Sequence, residues 1–395
     1  MTPLSSSAQP DTAPDNGLSK GDRFSQLEQP HFMLKEIHEQ PAVIQNCLNH
    51  YLDAATGKLR LGLPADWYPQ INEFHILACG TSRHAGLVGQ FWIEQLAGIP
   101  ARIRSGSEFQ EAPLPLTAHT LTIGVTQSGE TTDTLKALEM DKQRRMGRSQ
   151  QDSFRSLGIT NQASSSLAQM VDVLLPTLAG QEIGVAATKT FTTQLVVFFL
   201  LTLDFAQRRQ CISESTYRAL IEELQQIPLI IQQVLQQEPI IQTIAAQLIE
   251  THHCILLGRG VNRAIALEGA LKLKETTYLH AEGYAAGEFM HGPIALLDEQ
   301  VPVIAIAPSD ATYEALRPNV QKAKSHGSPI IGLVTSDTSS ESNAIFDTAI
   351  SLPQVPDLLT PLITVIPLQL LAYHLATLRG LDVDRPRNIT KTIQS

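Results

Sequence analysis

The segment 267–293 carries three side chains that can donate, accept or stabilise a proton: Lys272, Glu275 and His291. Its first part has apolar residues at helical spacing: Leu267, Ala270, Leu271 and Leu273. Because Lys272 and Glu275 are three residues apart, they lie on one face of the predicted helix. Gly283 and Gly287 then predict a loop that leads to His291. This arrangement suits acid–base catalysis, although an exposed ion pair followed by an ordinary turn is the alternative interpretation.

Two hydroxyl-rich turns predict an anion-binding site. The sequence CGTS occupies 79–82 and TQSGET occupies 126–131, and each turn follows a predicted strand and opens a predicted helix. Free backbone N–H groups at the two helix starts would point into one crevice, where serine and threonine hydroxyls add donors. Helix capping is the simpler interpretation, but a third hydroxyl-rich loop at 184–193 favours phosphate. Since neither a Walker motif nor GxGxxG is present, we predict a phosphorylated small molecule rather than a nucleotide.

Short apolar runs alternate with amphipathic helices along the chain, which is typical of an α/β fold with parallel sheets. The predicted strands are 74–78, 121–125, 157–160, 171–175, 254–257, 303–307, 330–334 and 349–352. The segments 74–86 and 253–269 resemble each other, as do 121–138 and 303–320. We therefore predict two similar α/β units in one chain.

The domain organisation follows from these patterns and from composition. We predict a disordered leader (1–30), an N-terminal helical segment (31–67), a first α/β domain with the phosphate-binding turns (68–210), a helical connector (211–250), a second α/β domain (251–380) and a C-terminal tail (381–395). The leader is dominated by Ser, Pro, Asp, Gly and Gln, which cannot bury enough apolar surface to fold.

Composition and charge exclude several classes of protein. The 395 residues are 43% hydrophobic and 17% charged, as in globular proteins, and the net charge of −10 disfavours nucleic acid or an anionic membrane as a partner. The four cysteines are scattered without metal-binding spacing, so we expect no zinc site and no disulfide framework. No apolar run is long enough to span a bilayer, and the run around Phe199 is interpreted as a core helix. With no N-terminal signal pattern, we predict a cytoplasmic protein.

Several motifs carry a resemblance to a known family. They are CGTS, QSGETTDT, EIGVAATKTFTTQ, LGRG, ALEGALKLKE, HAEGYAAGE, HGP and DVDRPRNITK. Together they resemble the isomerase half of glucosamine-6-phosphate synthase, also called glutamine–fructose-6-phosphate aminotransferase. The resemblance runs from about residue 32 to residue 391. It implies two tandem sugar-isomerase (SIS) domains of flavodoxin-like topology.

The resemblance also implies a role for individual residues. Glu275 matches the base that moves a proton between C1 and C2 of the sugar, and Lys272 matches the lysine that supports it. His291 matches the ring-opening histidine, which in the family reaches the site from the neighbouring subunit. Lys391 matches the lysine that forms a Schiff base with the open-chain ketose. The implied substrate-binding residues are Thr81, Ser82, Thr126, Gln127, Ser128, Thr131, Val185, Ala187 and Thr390.

The sequence departs from the family pattern at three places. It starts MTPLSSSAQP, without the catalytic cysteine and glutaminase domain of the family. We therefore expect that this chain does not itself release ammonia from glutamine. Ala187 replaces a sugar-contacting serine, which removes a hydrogen-bond donor. Met290 stands where a lysine often precedes the histidine.

The resemblance implies a phosphosugar enzyme that acts between fructose-6-phosphate and a glucose- or glucosamine-6-phosphate, with no metal or organic cofactor. The resemblance leaves the nitrogen chemistry open among four alternatives: a pure isomerase, an ammonia-dependent aminating enzyme, a glucosamine-6-phosphate deaminase, and the isomerase subunit of a split synthase. The implied partners are a second copy with shared active sites and a separate glutaminase subunit. A non-catalytic sugar-phosphate sensor is the alternative of another class, and the set Glu275, His291 and Lys391 argues against it.

Overall fold

A computed structural model describes residues 31–53, 56–112, 117–146, 154–335 and 344–391. The predicted leader, 1–30, and residues 392–395 of the predicted tail lie outside this part of the chain. The described residues form helices and parallel strands in alternation, as the apolar runs predict.

The elements of the first half precede residue 210. They are α1 (Phe32–His38), α2 (Gln40–Tyr51), α3 (Trp67–Gln70), β1 (Glu73–Ala78), α4 (Gly80–Trp92), β2 (Ala101–Ser105), β3 (Thr120–Val125), α5 (Thr132–Met146), β4 (Arg155–Thr160), α6 (Ser166–Met170), β5 (Val173–Pro176) and α7 (Lys189–Arg208). A π-helical turn, Ile93–Ala97, follows α4. The break between α1 and α2 falls at Glu39, and Pro41 occupies the first turn of α2, where its missing N–H is not needed.

The second half repeats the pattern after two connecting helices. Its elements are α8 (Glu214–Leu235), α9 (Glu238–Gln247), β6 (His253–Gly258), α10 (Asn262–Thr277), β7 (His280–Ala285), α11 (Ala286–Phe289), β8 (Val303–Ala307), α12 (Tyr313–Ser325), β9 (Ile330–Thr335), β10 (Thr348–Leu352) and α13 (Thr360–Leu378). Short 3₁₀ turns occupy Pro293–Leu296 and Asp357–Leu359.

The predicted fold class is confirmed, because each half forms a parallel five-stranded sheet of the same topology. The strand orders are β2-β1-β3-β4-β5 and β10-β9-β8-β6-β7, so β1 and β6 hold equivalent positions, as do β3 and β8. The register pairs Ala78 with Val125 across β1 and β3. The carboxyl ends of these two strands therefore lie side by side, which is where open α/β sheets bind ligands.

Two edge strands, β2 and β7, were not predicted. In β2, the arginines Arg102 and Arg104 alternate with apolar residues because one face of this edge strand is partly exposed. In β7, Gly283 suggested a loop, but it stands within the strand. A Cβ at Gly283 would lie 2.5 Å from the backbone of Ala266, so glycine is required for β7 to approach α10. The prediction that a loop follows α10 directly was therefore wrong.

Two long apolar helices, α7 and α13, form the centre of the core. Both are long and apolar enough to cross a membrane, so the prediction that no run reaches that length was wrong. Yet 94% of each apolar stretch is buried inside the protein, as expected for core helices. Asp204 of α7 is also buried, with its carboxylate 2.9 Å from Nε of Arg208.

Candidate functional site

The two hydroxyl-rich turns meet in one small cavity at the carboxyl ends of β1 and β3. Its volume is about 130 Å³. The lining residues are Cys79, Thr81, Ser82, Thr126, Gln127, Ser128, Thr131, Ala187, Thr190 and Gln194. The structure thus brings together both turns and the third hydroxyl-rich loop that the sequence analysis singled out. We call this space the hydroxyl pocket.

Backbone geometry explains the glycine in each turn. Gly80 and Gly129 have φ of +53° and +72°, in the left-handed region that side chains disfavour. A Cβ at Gly129 would also lie 2.0 Å from Oγ of Ser165. Only glycine therefore lets the second turn fold over the pocket at this point.

Hydrogen bonds within the pocket orient its hydroxyl groups. Oγ of Ser128 accepts a bond from N–H of Glu130 at 3.1 Å, and Oγ of Ser82 accepts one from Nε2 of Gln194 at 3.0 Å. Because both hydroxyl groups act as acceptors in these bonds, the proton of each serine hydroxyl can still be donated to a ligand. The pocket is therefore prepared to donate hydrogen bonds to an anion such as a phosphate.

A larger cavity of about 780 Å³ adjoins the hydroxyl pocket and shares Gln127 and Ser128 with it. We call it the tail cavity, because the C-terminal residues form one wall. Its lining is Phe32, Gln127, Ser128, Gln162, Gln181, Glu182, Ile183, Val185, Asp382, Asp384, Arg385, Ile389, Thr390 and Lys391. Val185, Thr390 and Lys391, all singled out from the sequence, thus lie around one space.

The ammonium of Lys391 is held on the wall of the tail cavity. Its Nζ lies 2.8 Å from Oε2 of Glu182 and donates to the carbonyl of Gly184 at 2.6 Å. Glu182 also accepts bonds from the backbone of Thr188 and from both the backbone and the hydroxyl of Thr190. Burial raises the pKa of Glu182, but the charge and hydrogen bond of Lys391 and the other donors outweigh it, so the net pKa is lowered.

The C-terminal tail reaches the cavity because it is anchored along its length. Both carboxylate oxygens of Asp384 accept bonds at 2.9 Å from the first N–H groups of α1, those of Phe32 and Met33. The guanidinium of Arg387 stacks 4.1 Å from the ring centre of Tyr278. Val383, next to Asp384, is fully buried in the core, so the tail is held by polar contacts together with an apolar anchor.

Lys272 and Glu275 belong to a buried network that ends at the hydroxyl pocket. Nζ of Lys272 lies 2.6 Å from Glu275 and 3.3 Å from Glu268, and it donates to Oγ1 of Thr81 at 3.1 Å. His84 lies 2.7 Å from the other oxygen of Glu268. Since Thr81 and His84 are on α4 and the rest are on α10, the network joins the two halves of the protein.

Burial and charge act in opposite directions on this network. Burial lowers the pKa of Lys272, but the carboxylates of Glu268 and Glu275 outweigh it, so the net pKa is well above its usual value. Burial raises the pKa of Glu268, and the charge of Lys272 and the bonds from His84 and Thr81 bring it below its usual value. The ammonium of Lys272 and the carboxylate of Glu268 therefore stay charged inside the protein.

Glu275 and His291 both lie outside the linings of the two cavities. Glu275 is connected to the hydroxyl pocket through Lys272 and Thr81, whereas His291 has no such connection within the described part of its own chain. His291 is exposed and follows α11. No three His, Cys, Asp or Glu side chains in the described ranges converge as a metal site requires.

Sequence analysis missed three polar residues of the site: Glu36, Glu182 and Gln194. A signal for Glu36 exists, because Met33, Glu36 and Ile37 share one face of α1 and all are buried. A carboxylate on the apolar face of a helix indicates a specific buried partner. Glu182 stands within a quoted motif, yet nothing in its spacing reveals that it meets Lys391.

The chain is similar to known proteins over most of its length. The SIS domain family model matches residues 70–203 and 247–379. A glutamine–fructose-6-phosphate aminotransferase [isomerizing] of Nostoc sp. is 52% identical over 369 residues, and one of Synechocystis sp. is 50% identical over 374 residues. These alignments cover 92% of this chain but 59% of each relative, so the chain spans about three fifths of their length.

A solved structure extends the comparison to the fold. It is the C-terminal domain of a glucosamine-fructose-6-phosphate aminotransferase from Francisella tularensis, with a TM-score of 0.84 and 35% identity, and the match covers 90% of this chain and 99% of that one. A glucosamine-6-phosphate deaminase from Thermotoga maritima, 22% identical with a TM-score of 0.70, shares the fold.

Proposed function

Because the chain belongs to the SIS domain family, we propose that it is a phosphosugar isomerase that interconverts fructose-6-phosphate and glucosamine-6-phosphate or glucose-6-phosphate. The observation that carries the proposal is the position of Lys391. Its amine lies in a cavity that opens onto a pocket of hydroxyl donors, so a sugar bound by its phosphate would present its carbon chain to the amine. A protein that only senses a sugar phosphate needs the pocket but not the amine.

The first step is capture of the phosphate in the hydroxyl pocket. Ser82, Ser128 and Thr131 supply hydroxyl donors, and the start of α4 adds backbone N–H groups and the positive end of the helix. These donors offset the net charge of −10, which repels an anionic ligand at long range.

Covalent capture of the ketose follows. The amine of Lys391, once it has lost a proton, attacks C2 of the open-chain ketose and forms a Schiff base with loss of water. Ammonia then adds to C2 and the amine of Lys391 leaves, which gives the C2 imine of ammonia; without ammonia, water releases the free ketose at the same carbon. The imine or carbonyl at C2 withdraws electrons from C1, so a proton on C1 becomes acidic. Glu275 removes that proton and returns it to C2, while the ammonium of Lys272 holds the carboxylate at 2.6 Å.

Ring opening requires a second copy of the chain in this proposal. His291 is exposed and, unlike Glu275, is not connected to the hydroxyl pocket within the described part of its own chain, so its imidazole would serve the site of a partner subunit. A homodimer with shared sites is therefore proposed, in the cytoplasm. Nitrogen would be supplied as ammonia, free or from a glutaminase subunit.

The proposal is tested by trapping the Schiff base. Borohydride added with fructose-6-phosphate should increase the mass of the C-terminal peptide by one reduced hexose phosphate, attached at Lys391. Lys391→Arg should bind the sugar phosphate but give no adduct, because guanidinium stays protonated. As a matched control, Lys189→Arg should trap normally, since Lys189 pairs with Glu39 and lines neither cavity. Normal turnover by Lys391→Arg would refute the mechanism.

A further inference from the structure

Helix α10 ends at a tyrosine whose backbone conformation favours glycine. Tyr278 directly follows Thr277, the last residue of α10, and has φ of +59° and ψ of +18°. Glycine commonly occupies this position at a helix end, because a Cβ is crowded in the left-handed region. A bulky residue held there costs free energy, so we looked for a role of its side chain.

The side chain of Tyr278 holds the C-terminal tail at Arg387. Its hydroxyl oxygen accepts a bond of 2.8 Å from the backbone N–H of Arg387, and its ring centre lies 4.1 Å from the guanidinium of the same residue. The hydrogen bond fixes the backbone of the tail, and the cation–π contact adds to it. Tyr278 thus joins the tail to the helix that carries Lys272 and Glu275.

This contact is closer to Lys391 along the chain than the other anchors of the tail. Arg387 is four residues before Lys391, whereas the buried Pro386 is five before it and Asp384, which binds the start of α1, is seven before it. Residues 388–390, between Arg387 and Lys391, are exposed. The length of free chain in front of the amine is therefore set at Tyr278.

The contacts of Lys391 itself cannot hold the tail while its amine reacts. Nζ is bound by Glu182 at 2.8 Å and by the carbonyl of Gly184 at 2.6 Å, and it must turn away from these acceptors to attack a sugar carbon. The loop that carries them is held independently of the tail, because the buried Glu36 accepts bonds from the N–H groups of Ile183 and Gly184, the second at 3.3 Å. During the reaction, the position of Lys391 therefore depends on the anchors that precede it.

We propose that Tyr278 is a positioning residue for the nucleophile: it ties the tail to the end of α10, so that Lys391 and Glu275 act on neighbouring carbons of one bound sugar. This inference rests on the proposed function, in which Lys391 attacks C2 and Glu275 takes a proton from C1. If Tyr278 served only to end the helix, glycine would serve at least as well.

The first assay measures the rate of adduct formation on Lys391 in the full chain, with saturating fructose-6-phosphate and cyanoborohydride. Tyr278→Gly removes both contacts with Arg387 and suits the left-handed backbone. The rate should fall by about two- to tenfold. Lengthening the free tail from four residues to seven gives the smaller factor, and loss of a hydrogen bond together with a cation–π contact gives the larger one. Tyr278→Phe loses the hydroxyl but keeps the ring, so its rate should be intermediate.

The second assay needs no sugar. The side chain of Lys391 is 13% exposed in its pair with Glu182, so it should react slowly with acetic anhydride in the wild-type protein. Release of the tail exposes the amine, so Tyr278→Gly should acetylate Lys391 about two- to tenfold faster while it forms the sugar adduct more slowly. Mass spectrometry of the C-terminal peptide measures both products.

Gln210→Gly is the matched control, since Gln210 also has a positive φ, of +57°, and lines neither the hydroxyl pocket nor the tail cavity. It should match the wild type in both assays. Inorganic phosphate should bind all variants with equal affinity in calorimetry, which shows that they are folded with an intact hydroxyl pocket; if Tyr278→Gly fails this check, Tyr278→Phe carries the test with the same directions of change.

Rates for the Tyr278 variants that equal those of Gln210→Gly in both assays would overturn the inference. Slower adduct formation without faster acetylation would also overturn it, because the tail would then be seated without Tyr278. Acetylation that depends on Tyr278, with no sugar adduct even in the wild type, would show that Tyr278 seats the tail while refuting the proposed function.

Discussion

Replacing Lys272 by methionine should destabilise the protein strongly and in a pH-dependent manner. The side chain of Lys272 is 1% exposed and its ammonium lies 3.3 Å from Glu268, whose carboxylate is fully buried, and 2.6 Å from Glu275. Methionine fills a similar volume, so the main effect is loss of the countercharge. Removing one partner of a buried ion pair typically costs about 3–5 kcal/mol, because the remaining charge is left uncompensated.

The pH dependence follows from Glu268. Lys272 lowers the pKa of this carboxyl in the native protein, and so contributes stability that is present at neutral pH and lost as pH falls through the native pKa. Without Lys272, burial should raise the pKa of Glu268, so this carboxyl is protonated and neutral over a wider range of pH. A buried neutral carboxyl costs less free energy than a buried unpaired carboxylate. The cost of Lys272→Met should therefore be largest at neutral pH and smaller at about pH 5.

Urea unfolding followed by circular dichroism measures these costs as shifts in the midpoint at constant slope. Lys274→Met is the matched control, because Lys274 is exposed on the same helix and its loss should change stability by less than about 0.5 kcal/mol. Adding Glu268→Gln to Lys272→Met should recover part of the loss. Equal costs for Lys272→Met and Lys274→Met, or a cost that does not change with pH, would refute this account of the network.

Three further predictions test other parts of the molecule. Ser128→Ala should weaken calorimetric binding of fructose-6-phosphate about tenfold or more, since a hydrogen bond to a charged group contributes about 1.5–3 kcal/mol; unchanged affinity would remove Ser128 from the phosphate site. Mixing inactive Glu275→Gln with inactive His291→Ala should restore part of the activity through hybrid dimers, and no recovery despite subunit exchange would mean that each chain carries a complete site. Glu36→Gln should raise the melting temperature at pH 8 but not at pH 4, because the pKa of Glu36 is raised from 4.5 to about 7 and its stabilising effect is lost as pH rises through that value. An equal shift at both pH values would show that ionisation of Glu36 is not the cause.

Local patterns predicted much of the fold. Central strands such as β8 and β9 are buried on both faces, so they appear in the sequence as nearly continuous apolar runs. The edge strands β2 and β7 lack this signal, because edge positions admit arginine, glutamate and glycine. The turns after β1 and β3 were predictable as one site because the carboxyl ends of parallel strands meet at one edge of a sheet, and these two strands are neighbours in it.

Long-range convergence of side chains was not predictable from spacing. Glu36, Glu182 and Lys391 are far apart in sequence, and they meet only because the tail is anchored by Asp384 on α1. Lys272 shows the opposite case: its partners Glu268 and Glu275 are one turn away on the same helix, so spacing alone indicated the pair with Glu275.

The central claim, that this chain interconverts hexose 6-phosphates, is tested most directly by NMR of the purified protein with fructose-6-phosphate, with and without ammonium. The account predicts new resonances of an aldose 6-phosphate, glucosamine-6-phosphate when ammonium is consumed, and incorporation of solvent deuterium at C2. Glu275→Gln should abolish the new aldose 6-phosphate resonances and the deuterium incorporation, while the variant still binds the sugar phosphate. If the wild-type protein binds fructose-6-phosphate but leaves its spectrum unchanged under every condition, including with glucosamine-6-phosphate as the starting sugar, the enzyme assignment is contradicted and a sugar-phosphate sensor is the better description.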